Sequence, residues 1–268
     1  MPNKVNNINF WNGNKSSARQ YFESELLQAV LTTTENANNV CELNIDNTDY
    51  PDAQDEGNIF ANGTDILVTV AGNLKFIDKP KIMIEQPLCK GLLGYRLLLV
   101  NDKDRETFLN IQNGAELQSL SIGIPATWVD AELFRENQYK VVEKGIFDDL
   151  FTLLVNAEFD YCALGVNEIE KEFEERVKPV GDISIEPSLM LYYPFPLVFY
   201  VNPDNKALAE RVHLGLADIF SNGIYENIFQ KHYGDIVTRL NLKQRKVFTL
   251  DNAILPNSMK NFRSTLLD

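Results

Sequence analysis

Cysteine, histidine, positive charge and long apolar runs are all scarce in this chain. Its three cysteines, Cys41, Cys89 and Cys162, lie far apart with no C-x-x-C pair. A sparse, odd set argues against a disulfide framework, although one bridge stays open. Cys41 and Cys162 stand in strand-like runs, where a free thiol behaves as a small buried hydrophobe. The two histidines, His213 and His232, fall on late helical stretches. Only Glu210 and Asp218 lie at ligand spacing from His213, so both histidines read as ordinary helix residues and no metal site is expected. Lysine and arginine number 25 against 38 aspartates and glutamates, a net charge of −13. That balance excludes nucleic acid and anionic membrane as expected partners. The one basic cluster, Lys231, Arg239, Lys243, Arg245 and Lys246, reads as a solvated helix face. No apolar run is long enough to cross a bilayer. The opening Met-Pro-Asn-Lys-Val-Asn-Asn lacks the apolar core of a secretory signal, so the expectation is a cytoplasmic protein or one whose leader is missing here.

Catalytic motifs are missing too. There is no G-x-S-x-G, H-E-x-x-H, Walker loop or G-x-G-x-x-G. Asp148 and Asp149 are adjacent and point apart on a helix, so a carboxylate dyad would need the fold to bring distant acids together. No catalytic residue and no cofactor is assigned.

What remains is an ordinary globular composition: 268 residues, 44% hydrophobic and 24% charged, enough for one large domain or two smaller ones. Ile8–Trp11 reads as a strand. Ser17 and Gln20 stand at capping-box spacing before a helix that carries Phe22, Leu26, Ala29 and Val30 on one face. Cys41–Ile45 and Asp65–Ala71 follow as strands, an order that implies parallel pairing and right-handed crossovers. Lys81–Glu85 and Tyr95–Val100 are further strands. Asp102–Ile111 reads as a helix ended by Asn113-Gly114.

The stretch from Leu120 to Glu168 then opens a second β-α-β series. Ser119–Ile124 suits a buried strand, and Gly123 and Pro125 break it. Thr127 and Asp130 have capping-box spacing, so Thr127 is expected to cap a helix running to about Asn137. Strand, turn and open helix start would gather free backbone N–H groups at one point, fit for a carboxylate, phosphate or sulfate; the plainer alternative is a simple cap. Tyr139–Val142 and Phe159–Ala163 are strands, with a helix carrying Phe147, Leu150, Phe151 and Leu154 between them. A charged helix spans Asn167–Val177. The apolar-aromatic run Leu189–Val201 contains prolines that suit an edge or crossing strand rather than a sheet centre. Helices around Leu208–Ile219 and Tyr225–Tyr233 precede a polar, mixed tail. Two α/β lobes joined by Tyr95–Val100 and Leu197–Val201 would make a hinge, with a ligand cleft that closes.

Four segments in this order resemble the type 2 periplasmic solute-binding proteins of ABC transporters, in particular the bacterial family 3 set related to amino-acid binders: Asn62–Asn73, Gln86–Arg96, Gly145–Phe151 with Phe159–Glu168, and Leu208–Tyr225. The resemblance spans most of the chain and rests on pattern rather than on one invariant motif. It implies an α/β, two-lobed periplasmic-binding-protein type 2 fold, with lobe one from residues 1–95 plus 200–268, lobe two from 96–199, and two hinge strands. It also implies a periplasmic monomer that captures a small polar or anionic molecule, amino-acid-like or an organic acid, for an ABC permease or a membrane sensor. In amino-acid binders a carboxylate follows the strand matching Phe159–Ala163 and holds the ligand amine. Here that position is Leu164, the nearest acids being Asp160 and Glu168, a departure from an α-amino-acid site.

The candidate ligand-binding residues are Asn73, Arg96, Ala126, Thr127, Trp128, Asn167, Glu168 and Tyr193. Arg96 suits a bidentate hold on a carboxylate or, equally, a hinge salt bridge. Asn73 suits a ligand hydrogen bond or, as sequence alone favours, a turn. Trp128 suits a stacking wall, whereas Trp11 suits the core. Asn167 and Glu168 suit polar contacts or helix capping in equal measure. Tyr193, with Tyr192, faces a ligand or fills the core. Two other classes are carried alongside: a dehydratase-like enzyme on the same scaffold, using Glu168 with Asp160, and a sensing or orphan binding module.

Overall fold

The computed structural model describes residues 5–35, 40–50 and 52–267; residues 1–4, where the expected first lobe begins, lie outside them. The strands in chain order are β1 Val5–Trp11, β2 Val40–Asp46, β3 Ile66–Val70, β4 Ile82–Ile84, β5 Tyr95–Asn101, β6 Ser121–Ile124, β7 Lys140–Glu143, β8 Tyr161–Gly165, β9 Ile183–Ile185, β10 Leu189–Tyr192, β11 Leu197–Val201 and β12 Lys246–Thr249. The chain divides into two compact units.

Unit 1 comprises Met1–Cys89, Leu197–Asp235 and Pro256–Lys260. Its sheet has the order β2-β1-β3-β11-β4, with β1 parallel to β2 and β3, and β11 antiparallel to both its neighbours. The helix Ser17–Thr33 crosses from β1 to β2. The Ser16 side chain, one residue before the expected cap, accepts the Arg19 N–H, and Phe22, Leu26, Leu27, Val30 and Leu31 form the buried stripe. The helix Lys206–Ser221 packs on it through Gly215. A Cβ there would stand 2.4 Å from the Val30 carbonyl oxygen, so only glycine allows this approach.

Unit 2 comprises Lys90–Pro196, Ile236–Leu255 and Asn261–Asp268. Its sheet order is β12-β10-β5-β8-β6-β7, and β9 shares the β10 side of β5. Every residue of β5 is buried, and β5 runs antiparallel to β8, β9 and β10. The strands β6, β7 and β8 run parallel to one another, as do β10 and β12.

Several sequence expectations change here. The runs expected as hinge strands lie inside the two sheets, β5 in unit 2 and β11 in unit 1, and the chain passes between units just before each. Leu189–Val201, expected as an edge or a crossing run, is no edge strand but does pass from unit 2 to unit 1, between Pro196 and Leu197. Pro194 and Pro196 fall between β10 and β11, where no ladder hydrogen bond is lost. The tail expected in lobe one contributes β12 to unit 2, because β12 pairs with β10 and Arg245 donates to the Glu186 and Leu189 carbonyls. The basic cluster is likewise no single helix face: Lys231 pairs with Glu25, Arg239 with Glu170, and Lys246 donates to the Ile111 carbonyl. Asn113, expected to end a helix, instead caps the start of Gly114–Ser119.

Candidate functional site

In unit 2 the C-terminal ends of β6, β8 and β10 and the start of β5 share one sheet edge. The register sets Gly165 and Leu191 on either side of Arg96, and Tyr192 beside Tyr95. In α/β sheets this carboxyl edge is where ligands bind. Arg96, Trp128, Asn167, Glu168 and Tyr193 all lie on it or in the turns just beyond.

Arg96 is the centre. It is 2% exposed. Its Nη2 donates to Asp130 Oδ1 at 2.8 Å, and its Nη1 stands 3.5 Å from Glu168 Oε1. The Tyr193 hydroxyl donates to the same Asp130 oxygen at 2.5 Å. The guanidinium lies over the rings of Tyr193 and Phe195, 5.4 and 5.5 Å from their centroids. Burial opposes the Arg96 charge, but Asp130, Tyr193 and Glu168 outweigh it and raise its pKa. Burial pushes the Tyr193 hydroxyl well up, so it stays a donor. The sequence does not mark Asp130 as a member of this cluster: its spacing from Thr127 suits a capping box, whereas its carboxylate turns inward to Arg96.

Glu168 Oε1 also accepts the Gly165 N–H at 3.2 Å. Asn167 beside it is 4% exposed, and neither its Nδ2 nor its Oδ1 has a hydrogen-bond partner. Asp160, the proposed acid–base partner of Glu168, sits before the opposite end of β8. There it accepts from the Ser121 N–H and hydroxyl and ties β6 to β8. The two carboxyls therefore do not form a proton-transfer pair.

The expected helix start at Ala126–Trp128 is a different object. Thr127 has a φ of 70° and caps nothing; the helix begins at Asp130 and its N-cap position is Val129. The Ala126 N–H donates to Gly145, the Thr127 N–H to the Glu143 carboxylate at 3.0 Å, and the Trp128 N–H to Pro125. The chain's own acceptors occupy those donors. Ala126 and Thr127 are exposed, while Trp128 is half-buried and stacks on Phe147 at 5.4 Å. Arg176 covers the same Phe147 ring.

Asn73 belongs to unit 1, just past β3. Its Nδ2 donates to Thr69 Oγ1 at 2.8 Å and to Glu56 Oε1 at 3.3 Å, and its Oδ1 accepts the Lys75 N–H. Glu56 also takes Lys75 Nζ at 2.7 Å and Asn14 Nδ2 at 2.8 Å. Deeper in the same unit Lys15 Nζ pairs with Glu23 at 2.7 Å and donates to the Val68 carbonyl. Burial lowers the Lys15 pKa. Trp11 is a core residue as expected, its Nε1 donating to Thr48. Cys41, Cys89 and Cys162 form no disulfide, and burial raises the Cys162 pKa. Among the described residues there is no cluster of metal-ligating side chains, and no helix is long and apolar enough to cross a membrane.

No family model and no curated protein matches the sequence. Solved structures do match by fold. The substrate-binding protein of an amino acid ABC transporter superposes with a TM-score of 0.57 at 14% identity, covering 85% of this chain and 100% of that one. The chain has the type 2 periplasmic-binding-protein fold. A periplasmic binding protein from Salmonella typhimurium with high arginine specificity shares this fold, at a TM-score of 0.59 and 14% identity over 85% and 99% of the two chains. So does a histidine kinase sensor domain, at 0.61 and 14% over 86% and 97%. Within that fold, unit 2 brings Arg96, Glu168 and Tyr193 into one cluster with Asp130, and it sets Asn167 next to them.

Proposed function

We propose that this chain is an extracytoplasmic solute-binding protein. It captures a small polar molecule and presents it to an ABC permease, working as a monomer and by binding rather than catalysis. The observation that carries the reading is the convergence of Arg96, Asp130, Glu168 and Tyr193, with the unpartnered Asn167, on the carboxyl edge of the unit 2 sheet. Arg96 holds Asp130 and Glu168 and Tyr193 donates to Asp130, while Arg96 Nε has no hydrogen-bond partner. Ligand contact then falls to Asn167, Glu168 and the half-buried Trp128, with Ala126 and Thr127 at the rim and Asn73 buttressing unit 1.

The test is ligand-dependent thermal stabilisation across a broad metabolite panel, with a shift that grows with concentration as binding linkage requires. A melting point that no compound moves would sink the reading. Similarity to a histidine kinase sensor domain favours a second reading, ligand sensing at a membrane receptor. Ligand-stimulated uptake in vesicles carrying a candidate permease supports the transport reading; binding without such uptake supports the sensor.

A further inference from the structure

We infer that a recess beside Asp130 in unit 2 takes the primary ammonium head of an aliphatic amine, with Asp130 Oδ2 as its acceptor. This rests on the binding reading above and names a ligand class for it.

Three observations carry it. The first is open space. The end of β6, the turn after it and the helix that starts at Asp130 border a recess open to solvent, lined by Ile124, Pro125, Trp128, Asp130, Leu150 and Ala163 among others. Its enclosed part has room for about one water-sized group. An ammonium head is of that size. A carboxylate, a carboxamide and a guanidinium are all wider.

The second is an unused acceptor. Arg96 Nη2 and the Tyr193 hydroxyl both donate to Asp130 Oδ1, and among the described residues nothing donates to Oδ2. The Asp130 side chain is 13% exposed. It is the one charged side chain among those lining the recess, and Arg96 is not one of them. A carboxylate oxygen only accepts, so the group it recruits must be a donor.

The third is the wall. Trp128 stacks on Phe147 with 27° between the rings, and it also borders the recess. An indole attracts a nearby cation, and the aliphatic lining covers the methylenes next to the head. A carboxylate–ammonium hydrogen bond is charge-assisted and roughly twice as strong as the bond a hydroxyl of similar size would make. The amine is therefore favoured over the matching alcohol. The net charge of −13 adds a long-range attraction for cations.

The test is ligand-observed NMR titration of the wild-type chain with probes that share a butyl stem: n-butylamine, n-butanol, valerate and butyltrimethylammonium. Butylamine is expected to bind saturably, and roughly fivefold or more tightly than each of the others. Asp130→Asn is expected to erase that preference. Ala163→Val narrows the recess, leaves Asp130 with both its partners, and is expected to weaken butylamine as well, so it decides the matter where D130N does not fold. Equal binding of amine and alcohol, a tighter valerate, a quaternary amine that binds as well as the primary one, or a preference unchanged in A163V would each overturn the assignment. The binding reading would still stand if a compound in the metabolite panel stabilised the protein. Failure of every panel compound and every butyl probe to bind would instead sink both.

Discussion

Each unit places a buried asparagine just beyond the end of a sheet strand, and the two live in opposite circumstances. Asn73 follows β3 and Asn167 follows β8, and both are 4% exposed. Asn73 is fully engaged, with Thr69, Glu56 and the Lys75 backbone answering its amide. Asn167 has no partner at either side-chain atom. The same residue type at the same kind of strand end therefore has two uses. In unit 1 it locks a loop, and in unit 2 it holds a hydrogen-bonding capacity in reserve. The surrounding charges differ as well. Glu56 takes its lysine and two asparagine amides at close range, whereas Arg96 is shared between two acids.

The largest test of this contrast removes the cation of unit 2. Arg96→Met removes the cation that Asp130 and Glu168 share, and is expected to cost about 3–5 kcal/mol. One tryptophan lies in each unit, Trp11 and Trp128. Urea unfolding followed by fluorescence in Trp11→Phe and Trp128→Phe backgrounds assigns that loss to unit 2. A loss below about 1 kcal/mol would mean that Arg96 is not its keystone.

Next is Asn73→Ala, which strips Glu56, Thr69 and the Lys75 N–H of a partner. It is expected to destabilise unit 1 by about 1–3 kcal/mol in the same assay.

Glu172 supplies the pH test. Burial pushes its carboxyl up to about 7 from 4.5, with Arg176 pulling it down and Glu168 and Glu175 pushing it further up. The folded state therefore holds this proton more tightly than the unfolded chain does. Its stabilising contribution is fully present below pH 4.5 and is lost as pH rises through about 7. After solvent screening the loss is about 1–2 kcal/mol. Glu172→Gln cannot ionise, so at alkaline pH it is expected to be the more stable protein, with a flatter stability curve through neutrality. A wild-type curve that stays flat across that window would refute the assignment.

The smallest effect is expected at the second asparagine. Asn167→Leu removes an unpaired amide rather than a hydrogen bond, so its stability is expected to stay within about 1 kcal/mol of wild type or to exceed it. A loss as large as that of Asn73→Ala would erase the contrast between the two sites.

Much of the architecture was legible in the sequence because strand and helix periodicity are local. The β1, Ser17–Thr33, β2, β3 succession and the second series from β6 through β8 were read with their order intact. Errors fell where a distant partner decided the outcome. Thr127 and Asp130 have the spacing of a capping box, but Arg96, 34 residues from Asp130, supplies a stronger attraction for that carboxylate than a helix start does. The prolines at 194 and 196 suit an edge or a crossing strand. They lie between two interior strands, and only the pairing partners could reveal that. The tail carried little apolar pattern, and β12 owes its place to the backbone of β10.

By itself, the sequence determined the α/β class, the two series of elements, the buried faces of the long helices and the residue types at each strand end. Those follow from the side-chain period and from turn chemistry within a few residues. Tertiary structure alone decided which charges meet. Arg96, Asp130, Glu168 and Tyr193 are spread over about a hundred residues, and only the sheet register brings them within hydrogen-bonding reach. The same register left Asn167 buried and unanswered, because hydrogen bonds between side chains depend on distance in space and not on separation along the chain.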